Sequence, residues 1–300
     1  MDKKFNKELK VEGPINVYLE KLSLKIPGKI AISFYGRDIS YGELWESILK
    51  IASALRKIGI KEGDRVVLFM QNCPQFVISF FAVLHIGAIA VPVNPMLKQV
   101  ELRSLLHDCE PTLIICNNHL RDEIPKEAMK KIIFTGIRDF VGTKSQIPIP
   151  KEFESYDKPP EGNFLFSELL QYDGDRKDLG ISNLMQDALF VYTGGTTGLP
   201  KAAVHSHYAL TWGALSSGEW YTFSDNDCLI AVLPLFHSFG LLNAMCAPLV
   251  YGCRLVILSK FDEETLLSAI DHYRVTIWFS VPTMIARVLN VPPLSKYDLS

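Results

Sequence analysis

A run of glycine and threonine followed by a lysine is the part of this sequence with the clearest chemical potential. Every residue from Thr193 to Gly198 is glycine or threonine, and Lys201 follows three positions later, in TGGTTGLPK. Glycines let consecutive backbone N–H groups turn toward one point, threonine hydroxyls add donors and metal ligands, and the lysine adds a compact positive charge. The segment therefore predicts a loop that cradles a polyphosphate.

Two familiar phosphate loops do not fit the segment. A Walker A loop requires G-x-x-x-x-G-K-[ST], but Lys201 is preceded by Pro200 and followed by Ala202. A dinucleotide-binding loop joins a strand to a helix, whereas the alternation over residues 202–206 predicts a second strand after the loop. The remaining alternative is a plain glycine-rich turn with surface threonines.

Histidine and cysteine offer weaker signals. His205 and His207 lie two apart on the predicted strand and could face one way as metal ligands, but no third ligand is near, so a structural role is favoured. The six cysteines contain no C-x-x-C pair, which predicts reduced, buried thiols rather than a zinc site.

Alternating elements surround these residues. Capping-box spacing at Ser40 and Glu43 begins a helix that Gly59 ends. Strands are predicted at 65–70, 88–93, 112–116, 189–192, 228–233, 254–258 and 275–280, and further helices from 74, at 99–108, before Gly252, at 263–273 and at 282–290. This pattern predicts an α/β fold with a parallel sheet covered by helices on both faces.

Two stretches interrupt the pattern. Residues 76–93 are apolar enough to raise the question of a transmembrane helix, but a helix-start signal before Pro74, Gly87 within the run and Pro92 predict a buried helix followed by a buried strand. Residues 136–163 contain four prolines, at 148, 150, 159 and 160, and predict a long surface excursion.

Composition limits the classes of partner. The chain has 300 residues, 48% of them hydrophobic, which is enough for a large core. A net charge of −2 without blocks of like charge argues against nucleic acid. The lysine-rich residues 1–11 lack the apolar region of a signal peptide, so we expect a cytoplasmic protein. Peripheral membrane contact and a homo-oligomer stay open.

The sequence resembles a known family at five motifs in the family's order. YTGGTTGLPKA is similar to the phosphate-binding motif of the AMP-forming acyl-CoA synthetases of the adenylate-forming superfamily, and ISYGELW, FFAVLHIGAIAVPVNP, LPLFHSFGL and VTIWFSVPTMIARVL resemble its other motifs. The resemblance implies two doubly wound βα subdomains of the large N-terminal domain, over residues 1–300. Many members have serine at Gly194 and glycine at Ala202, and the Gly194 form resembles long-chain fatty acid ligases.

The resemblance implies an ATP-dependent ligase that also uses Mg²⁺ and CoA. A carboxylate, here a fatty acid, attacks the α-phosphate of ATP to give acyl-AMP, and the CoA thiol then displaces AMP. Lys201 and His237 would be catalytic, with His237 beside the reacting carboxylate, and Thr193 would hold the metal. The implied phosphate-binding residues are Thr193, Gly194, Gly195, Thr196, Thr197, Gly198 and Lys201. The motifs that line the acyl pocket include or flank Phe236, Phe239, Leu241, Leu242 and Trp278, although core packing is favoured for most of these.

Later parts of the family pattern have no match in the sequence. These are the adenine, ribose and second metal contacts and the small C-terminal lid domain with its catalytic lysine. We therefore expect an incomplete large domain that is inactive alone. Adenylation of an aryl or amino acid and a non-catalytic nucleotide-binding fragment remain alternatives. The sequence specifies neither the chain length of the acid nor the thiol acceptor.

Overall fold

The computed structural model describes residues 9–128, 131–151, 163–172, 174, 181, 183–193, 201–291 and 293–299. Its strands are β1 Ile30–Phe34, β2 Arg37–Ser40, β3 Arg65–Phe69, β4 Ile89–Val93, β5 Leu113–Asn117, β6 Ile132–Thr135, β7 Phe164–Leu165, β8 Asp187–Thr193, β9 Lys201–Ser206, β10 Cys228–Ala231, β11 Arg254–Ile257 and β12 Ile277–Trp278. Its α-helices are α1 Ile15–Lys25, α2 Tyr41–Lys57, α3 Pro74–His85, α4 Gln99–Cys109, α5 Phe166–Leu169, α6 His207–Tyr221, α7 Ser238–Leu241, α8 Ala247–Val250, α9 Glu263–Tyr273 and α10 Pro282–Leu289. A π-helical turn, Leu242–Cys246, joins α7 to α8.

The strands form two sheets. One has the order β7, β6, β5, β3, β4, β8, β9 and is parallel except for the antiparallel pair β8 and β9. The other has the order β12, β10, β11, β1, β2 and is parallel except for the pair β1 and β2. Parallel neighbours need crossover connections, which intervening helices supply. The predicted α/β fold built on parallel strands is confirmed, and each sheet carries an antiparallel strand at one edge.

The first sheet is buried on both faces. In β3, Val66 and Leu68 contribute to a large core, whereas Val67 and Phe69 contribute to a smaller one under α4. Successive side chains of a strand point to opposite faces, so the two cores lie on the two sides of this sheet. The large core also contains Leu255 of β11, and it therefore joins the two sheets.

Helix α2 begins as the sequence predicts. The Ser40 hydroxyl accepts a hydrogen bond from the Glu43 backbone N–H at 3.2 Å, and the Glu43 carboxylate accepts one from the Ser40 N–H at 2.8 Å. Gly59, with φ +89°, lies just beyond the helix end. The apolar face predicted from periodicity is buried, at Leu44, Ile48, Ile51 and Leu55.

The apolar stretch 76–93 divides as predicted. Residues of α3 are all buried, and so are those of β4. Pro74 occupies the first helical position, where its missing N–H leaves no intrahelical bond unmade. Within the described part of the chain, no helix has both the length and the apolar character that crossing a bilayer requires.

The hairpin of β1 and β2 was not predicted. Its two-residue turn places Tyr35 at φ +38° and Gly36 at φ +83°. Two-residue hairpin turns require positive φ, which tyrosine seldom adopts. Only Gly36 is a residue typical of such a turn, so the sequence indicated the hairpin weakly. Helices α1, α5 and α6 and strands β6 and β7 were also missed, and β12 is shorter than the predicted strand at 275–280.

The prediction of a surface excursion over residues 136–163 is wrong for its first part. Ile137, Phe140 and Ile147 are buried in the large core, and the Gly142 N–H donates to the Tyr35 carbonyl at 3.0 Å. A Cβ on Gly36 would lie 2.0 Å from the Lys144 carbonyl oxygen, so the segment is pressed against the hairpin turn. These three apolar side chains, which precede the prolines, anchor the first part of the segment. Residues 152–162 lie outside the described residues.

Candidate functional site

The predicted phosphate loop lies between two antiparallel strands. Strands β8 and β9 pair from Asp187 and Ser206 up to Thr193 and Lys201, and the Thr193 hydroxyl donates to the Lys201 carbonyl at 3.3 Å. The second strand after the loop, which argued against a dinucleotide-binding loop, is therefore confirmed. The residues predicted to hold phosphate within the loop lie outside the described residues: Gly194, Gly195, Thr196, Thr197 and Gly198.

The position of this hairpin in the sheet suits a ligand. Strand β8 runs parallel to β4, with Ala90 opposite Leu189, so Thr193 lies at the carboxyl edge of the sheet. Ligands of open α/β sheets bind beyond the carboxyl ends of the strands. Lys201 is exposed there. The Tyr192 hydroxyl donates to the Asp108 carboxylate at 2.5 Å, which ties β8 to α4, and burial together with this bond raises the pKa of Tyr192.

His237 caps the helix that follows β10. Its backbone N–H donates to the Pro234 carbonyl at 3.2 Å, and its own carbonyl accepts from the Leu241 N–H at 2.8 Å. A Cβ on Gly240 would lie 2.2 Å from the Pro234 carbonyl oxygen, so only glycine allows this tight turn. The motif PLFHSFGL thus encodes a compact loop that presents an exposed imidazole.

The imidazole of His237 has a defined hydrogen-bonding pattern. Its Nδ1 accepts from the Phe239 backbone N–H at 3.3 Å. An accepting Nδ1 in a neutral ring puts the proton on Nε2. The exposed Nε2–H can therefore donate to an oxygen on which negative charge develops.

Helix α6, which follows the hairpin, packs against the helix that follows His237. A Cβ on Gly213 would lie 3.3 Å from a methyl carbon of Leu242, the first residue of the π-helical turn. This contact of Gly213 with the Leu242 side chain joins the elements that carry Lys201 and His237. π-Helical turns within helices often occur at functional sites.

Asn72 also joins the two sheets at their carboxyl edges. It follows β3 of the seven-stranded sheet and is only 5% exposed. Its Nδ2 donates to the Leu233 carbonyl and its Oδ1 accepts from the Leu235 N–H, both at 2.9 Å, just beyond β10 of the five-stranded sheet. In the sequence, Asn72 belongs only to the helix-start signal before Pro74, because its hydrogen-bond partners are distant in the chain.

Aromatic rings line the side of the site next to His237. The Phe279 ring centroid lies 5.7 Å from that of Phe239 and 4.8 Å from that of Tyr221, both in edge-to-face geometry. Phe239 is 41% exposed, so this cluster borders solvent. Of the other predicted pocket residues, Leu241 is in the core, whereas Phe236, Leu242 and Trp278 are half-buried. Phe279 and Tyr221 were missed, since nothing in their spacing links them to His237.

The interpretation of His205 and His207 as two residues of one strand is wrong. His205 lies in β9, but His207 is the first residue of α6, where the Ser206 hydroxyl caps the Ala209 N–H. His207 is fully buried, its ring nitrogens have no hydrogen-bond partner among the described residues, and burial lowers its pKa from 6.5 to about 4. A neutral, buried ring fits the structural role that the sequence favoured.

The donor groups at the hairpin can be compared with the ligands that Mg²⁺ prefers. Among the described residues, no three or more His, Cys, Asp or Glu side chains form a group that could hold a metal. The exposed Thr193 hydroxyl offers one hard oxygen. Mg²⁺ keeps several waters and takes other ligands from substrate phosphates, so one threonine oxygen fits Mg²⁺ and does not fit a dedicated zinc site.

This fold and loop define an AMP-binding domain. The chain belongs to the AMP-binding enzyme family, whose model matches residues 19–300. It is 30% identical to a long-chain-fatty-acid–CoA ligase of Bacillus subtilis (strain 168) over 288 residues, 92% of this chain and 51% of that protein. It is 32% identical to an indoleacetate–CoA ligase of Aromatoleum aromaticum (strain DSM 19018 / LMG 30748 / EbN1) over 275 residues, 91% of this chain and 51% of that protein.

Solved structures share the fold. ATP-bound MatB from Rhodopseudomonas palustris matches with a TM-score of 0.75 at 26% identity, over 93% of this chain and 52% of that one. The chain spans about half the length of the curated relatives it matches.

Proposed function

We propose that this chain forms the nucleotide- and acid-binding part of an AMP-forming acid–thiol ligase. The observation that carries the proposal is the closure of the β8–β9 ladder at Thr193 and Lys201, which brackets the glycine–threonine loop at the carboxyl edge of the sheet. The family match and the two CoA ligase relatives support it. The ATP-bound relative supports ATP as the nucleotide.

The proposed reaction has two displacements. A carboxylate oxygen of the acid attacks the α-phosphorus of ATP, the bond to the bridging oxygen breaks, and pyrophosphate leaves. The thiolate sulfur of CoA then attacks the acyl carbon of the mixed anhydride, and AMP leaves. Both steps concentrate negative charge, so groups that stabilise such charge in the transition state accelerate them.

The hairpin supplies positive charge and N–H donors. Lys201 would place its ammonium against the β- and γ-phosphates, and backbone N–H groups of Gly194, Gly195 and Gly198 would hold the same oxygens. Thr193 would give its hydroxyl oxygen to Mg²⁺, which, when bound, neutralises phosphate charge. Lys201 is the first residue of β9 and pairs with Thr193, so the ladder fixes its backbone position.

His237 would act on the reacting carboxylate. Its Nε2–H would donate to the carboxylate or an α-phosphate oxygen as charge shifts between them. The Phe239 N–H donates to Nδ1, so Nε2 is the ring nitrogen left to contact a substrate oxygen. Its exposed position in the loop supports access to a bound acid.

We further propose a medium- or long-chain fatty acid as the substrate. Gly194, which resembles the form found in long-chain fatty acid ligases, and the Bacillus subtilis relative favour it. An aryl acid is the second candidate, because the edge-to-face cluster of Phe239, Phe279 and Tyr221 suits an aromatic ring. The Aromatoleum aromaticum relative supports this alternative.

ATP–pyrophosphate exchange tests the function and the acid together. The exchange rate is measured for the wild type and for His237→Ala, each with four acids: hexadecanoate, decanoate, indoleacetate and phenylalanine. We expect exchange with the fatty acids that falls roughly 100-fold in His237→Ala. A preference for indoleacetate would replace the fatty acid proposal, and nucleotide binding without exchange for any acid in the complete gene product would contradict the ligase proposal.

The relatives are about twice as long as this chain, so we propose that thioester formation also needs residues outside these 300. The same exchange assay and an acyl-CoA assay on the 300 residues alone test this point. Efficient acyl-CoA formation by the 300 residues would contradict it.

A further inference from the structure

The side chain of Asn72 makes hydrogen bonds to the segment just before His237, in the pattern that the backbone of a neighbouring strand would make. Its side-chain amide donates to Leu233 and accepts from Leu235, alternate residues whose carbonyl and N–H face the same side. Strand β10 ends at Ala231, so residues 233–235 lie beyond the ladder of that sheet. The amide of Asn72 thus supplies the hydrogen bonds that the ladder no longer supplies.

We propose that Asn72 is a positioning residue that fixes the orientation and tautomer of the His237 ring. The inference rests on the proposed function in one respect, that His237 acts on the reacting carboxylate. The positioning itself follows from contacts among described residues, and it assigns to Asn72 a role beyond starting α3.

The loss of the Asn72 amide would leave two buried backbone groups unpaired. Leu233 is 7% exposed and Leu235 is fully buried, so water does not reach their carbonyl and N–H without movement of the segment. Unpaired buried backbone groups are costly, and the segment would shift to satisfy them.

Such a shift would reach His237 through the next bonds of the loop. The Pro234 carbonyl, which lies between the two residues that Asn72 holds, accepts the His237 N–H at 3.2 Å. Gly240 is pressed against the same carbonyl oxygen. The orientation of the His237 ring, whose Nδ1 accepts from the Phe239 N–H, therefore depends on the position of Pro234.

Asn72 is itself held from both sheets. Its backbone carbonyl accepts from the Ser259 hydroxyl at 2.8 Å, just after β11. The preceding Gln71 N–H donates to the Asn117 side chain at 2.9 Å, at the end of β5. The ends of β3, β5, β10 and β11 therefore meet at Gln71 and Asn72, which gives the Asn72 amide the rigidity that a positioning residue needs.

The first experiment is spectroscopic. In ¹⁵N-labelled protein, the ring nitrogens of His237, assigned with His237→Gln, report the tautomer, and amide exchange of Phe239 reports the bond to Nδ1. We expect the Nε2–H tautomer in wild type, and in Asn72→Ala a mixture of tautomers with Phe239 exchange faster by about tenfold.

Asn16→Ala is the matched control. Asn16 is a fully buried asparagine whose Nδ2 donates at 2.9 Å to the Phe81 carbonyl in α3, not to the His237 loop. It should lower stability without changing the His237 tautomer. If Asn72→Ala does not fold, Ser259→Ala, which removes one bond to the Asn72 carbonyl, should shift the tautomer in the same direction to a smaller extent.

A double-mutant cycle gives the second readout. In the complete gene product, Asn72→Ala should lower ATP–pyrophosphate exchange about tenfold when His237 is present and less than twofold in the His237→Ala background. Equal losses in both backgrounds, or a wild-type tautomer and Phe239 exchange in both Asn72→Ala and Ser259→Ala, would overturn the positioning role. A shifted tautomer in a protein without ligase activity would uphold the positioning and refute the proposed function.

Discussion

The β8–β9 ladder holds the backbone of Lys201 beside the candidate phosphate loop. It pairs with Thr193 in the last rung of the hairpin and is exposed. Lys201→Ala removes a point charge from the proposed phosphate site while the ladder, which needs only the backbone, remains. We expect kcat/KM for ATP in pyrophosphate exchange to fall roughly 100-fold, with unchanged thermal stability.

Lys61→Ala is the control for this prediction. Lys61 is also exposed but precedes β3, at the opposite edge of the sheet. It should leave exchange unchanged. Equal activity of both variants would remove Lys201 from the phosphate site.

His207 predicts a pH dependence of stability. Burial lowers its pKa from 6.5 to about 4, so the unfolded chain binds a proton below pH 6.5 that the folded chain does not accept until about pH 4. The free energy of unfolding should therefore fall as the pH decreases through this interval, by up to about 3 kcal/mol, and this contribution should be constant above pH 7. Urea denaturation between pH 4 and 8 measures it.

His207→Leu should flatten this part of the stability profile, because the group that titrates differently in the two states is gone. His107→Gln, at an exposed position near the end of α4, should retain the wild-type slope. An unchanged slope in His207→Leu would show that other groups cause the acid sensitivity.

At the scale of an element, the capping box of α2 makes a measurable contribution. Ser40→Ala removes the acceptor of the Glu43 N–H and should lower the free energy of unfolding by about 1 kcal/mol. Ser104→Ala, at a half-buried position within α4, should change it by less than about 0.5 kcal/mol. If urea denaturation gave the same loss for Ser40→Ala and Ser104→Ala, the cap at Ser40 would make no contribution of its own to stability.

The turn into α7 depends on glycine. A Cβ at position 240 would lie 2.2 Å from a backbone oxygen that cannot move alone, so Gly240→Ala should destabilise the protein by about 1–3 kcal/mol and weaken exchange activity. Gly28→Ala adds a methyl group where, apart from the two chain neighbours, no heavy atom of the described residues lies within 4 Å, and it should be neutral. Thermal denaturation compares the two, and a neutral Gly240→Ala would show that the loop can relax.

At the scale of the whole molecule, the reactivity of the thiols measures how well the cores exclude solvent. All six cysteines are buried and free, as the sequence predicts, and burial raises the pKa of Cys73, Cys109 and Cys253 to about 12. Since the thiolate is the reactive form, the folded protein should react with Ellman's reagent at pH 8 only at its rate of unfolding. All six should react at once in guanidinium, and rapid reaction of a thiol in buffer would show that its core opens locally.

Local patterns determined a large part of the fold. The periodicity of α2 gave its buried face, the spacing of Ser40 and Glu43 gave its start, and α9 has the predicted bounds. The division of residues 76–93 and the strand–loop–strand around the glycine–threonine segment also followed from sequence. Such features depend on residues within about one or two turns of each other, so spacing along the chain records them.

Only the tertiary structure decided which distant residues meet. The amide of Asn72 bonds a residue 161 positions away, Phe279 packs on Tyr221, and His207 begins a helix rather than extending a strand. The order of strands in each sheet brings these residues together, and many orders are compatible with the same local hydrophobic pattern. The sequence by itself therefore determined the class of fold and the pair of strands that flanks the glycine–threonine segment. The two-sheet junction that holds His237 depended on long-range burial and on pairing of backbone groups left beyond the strand ends.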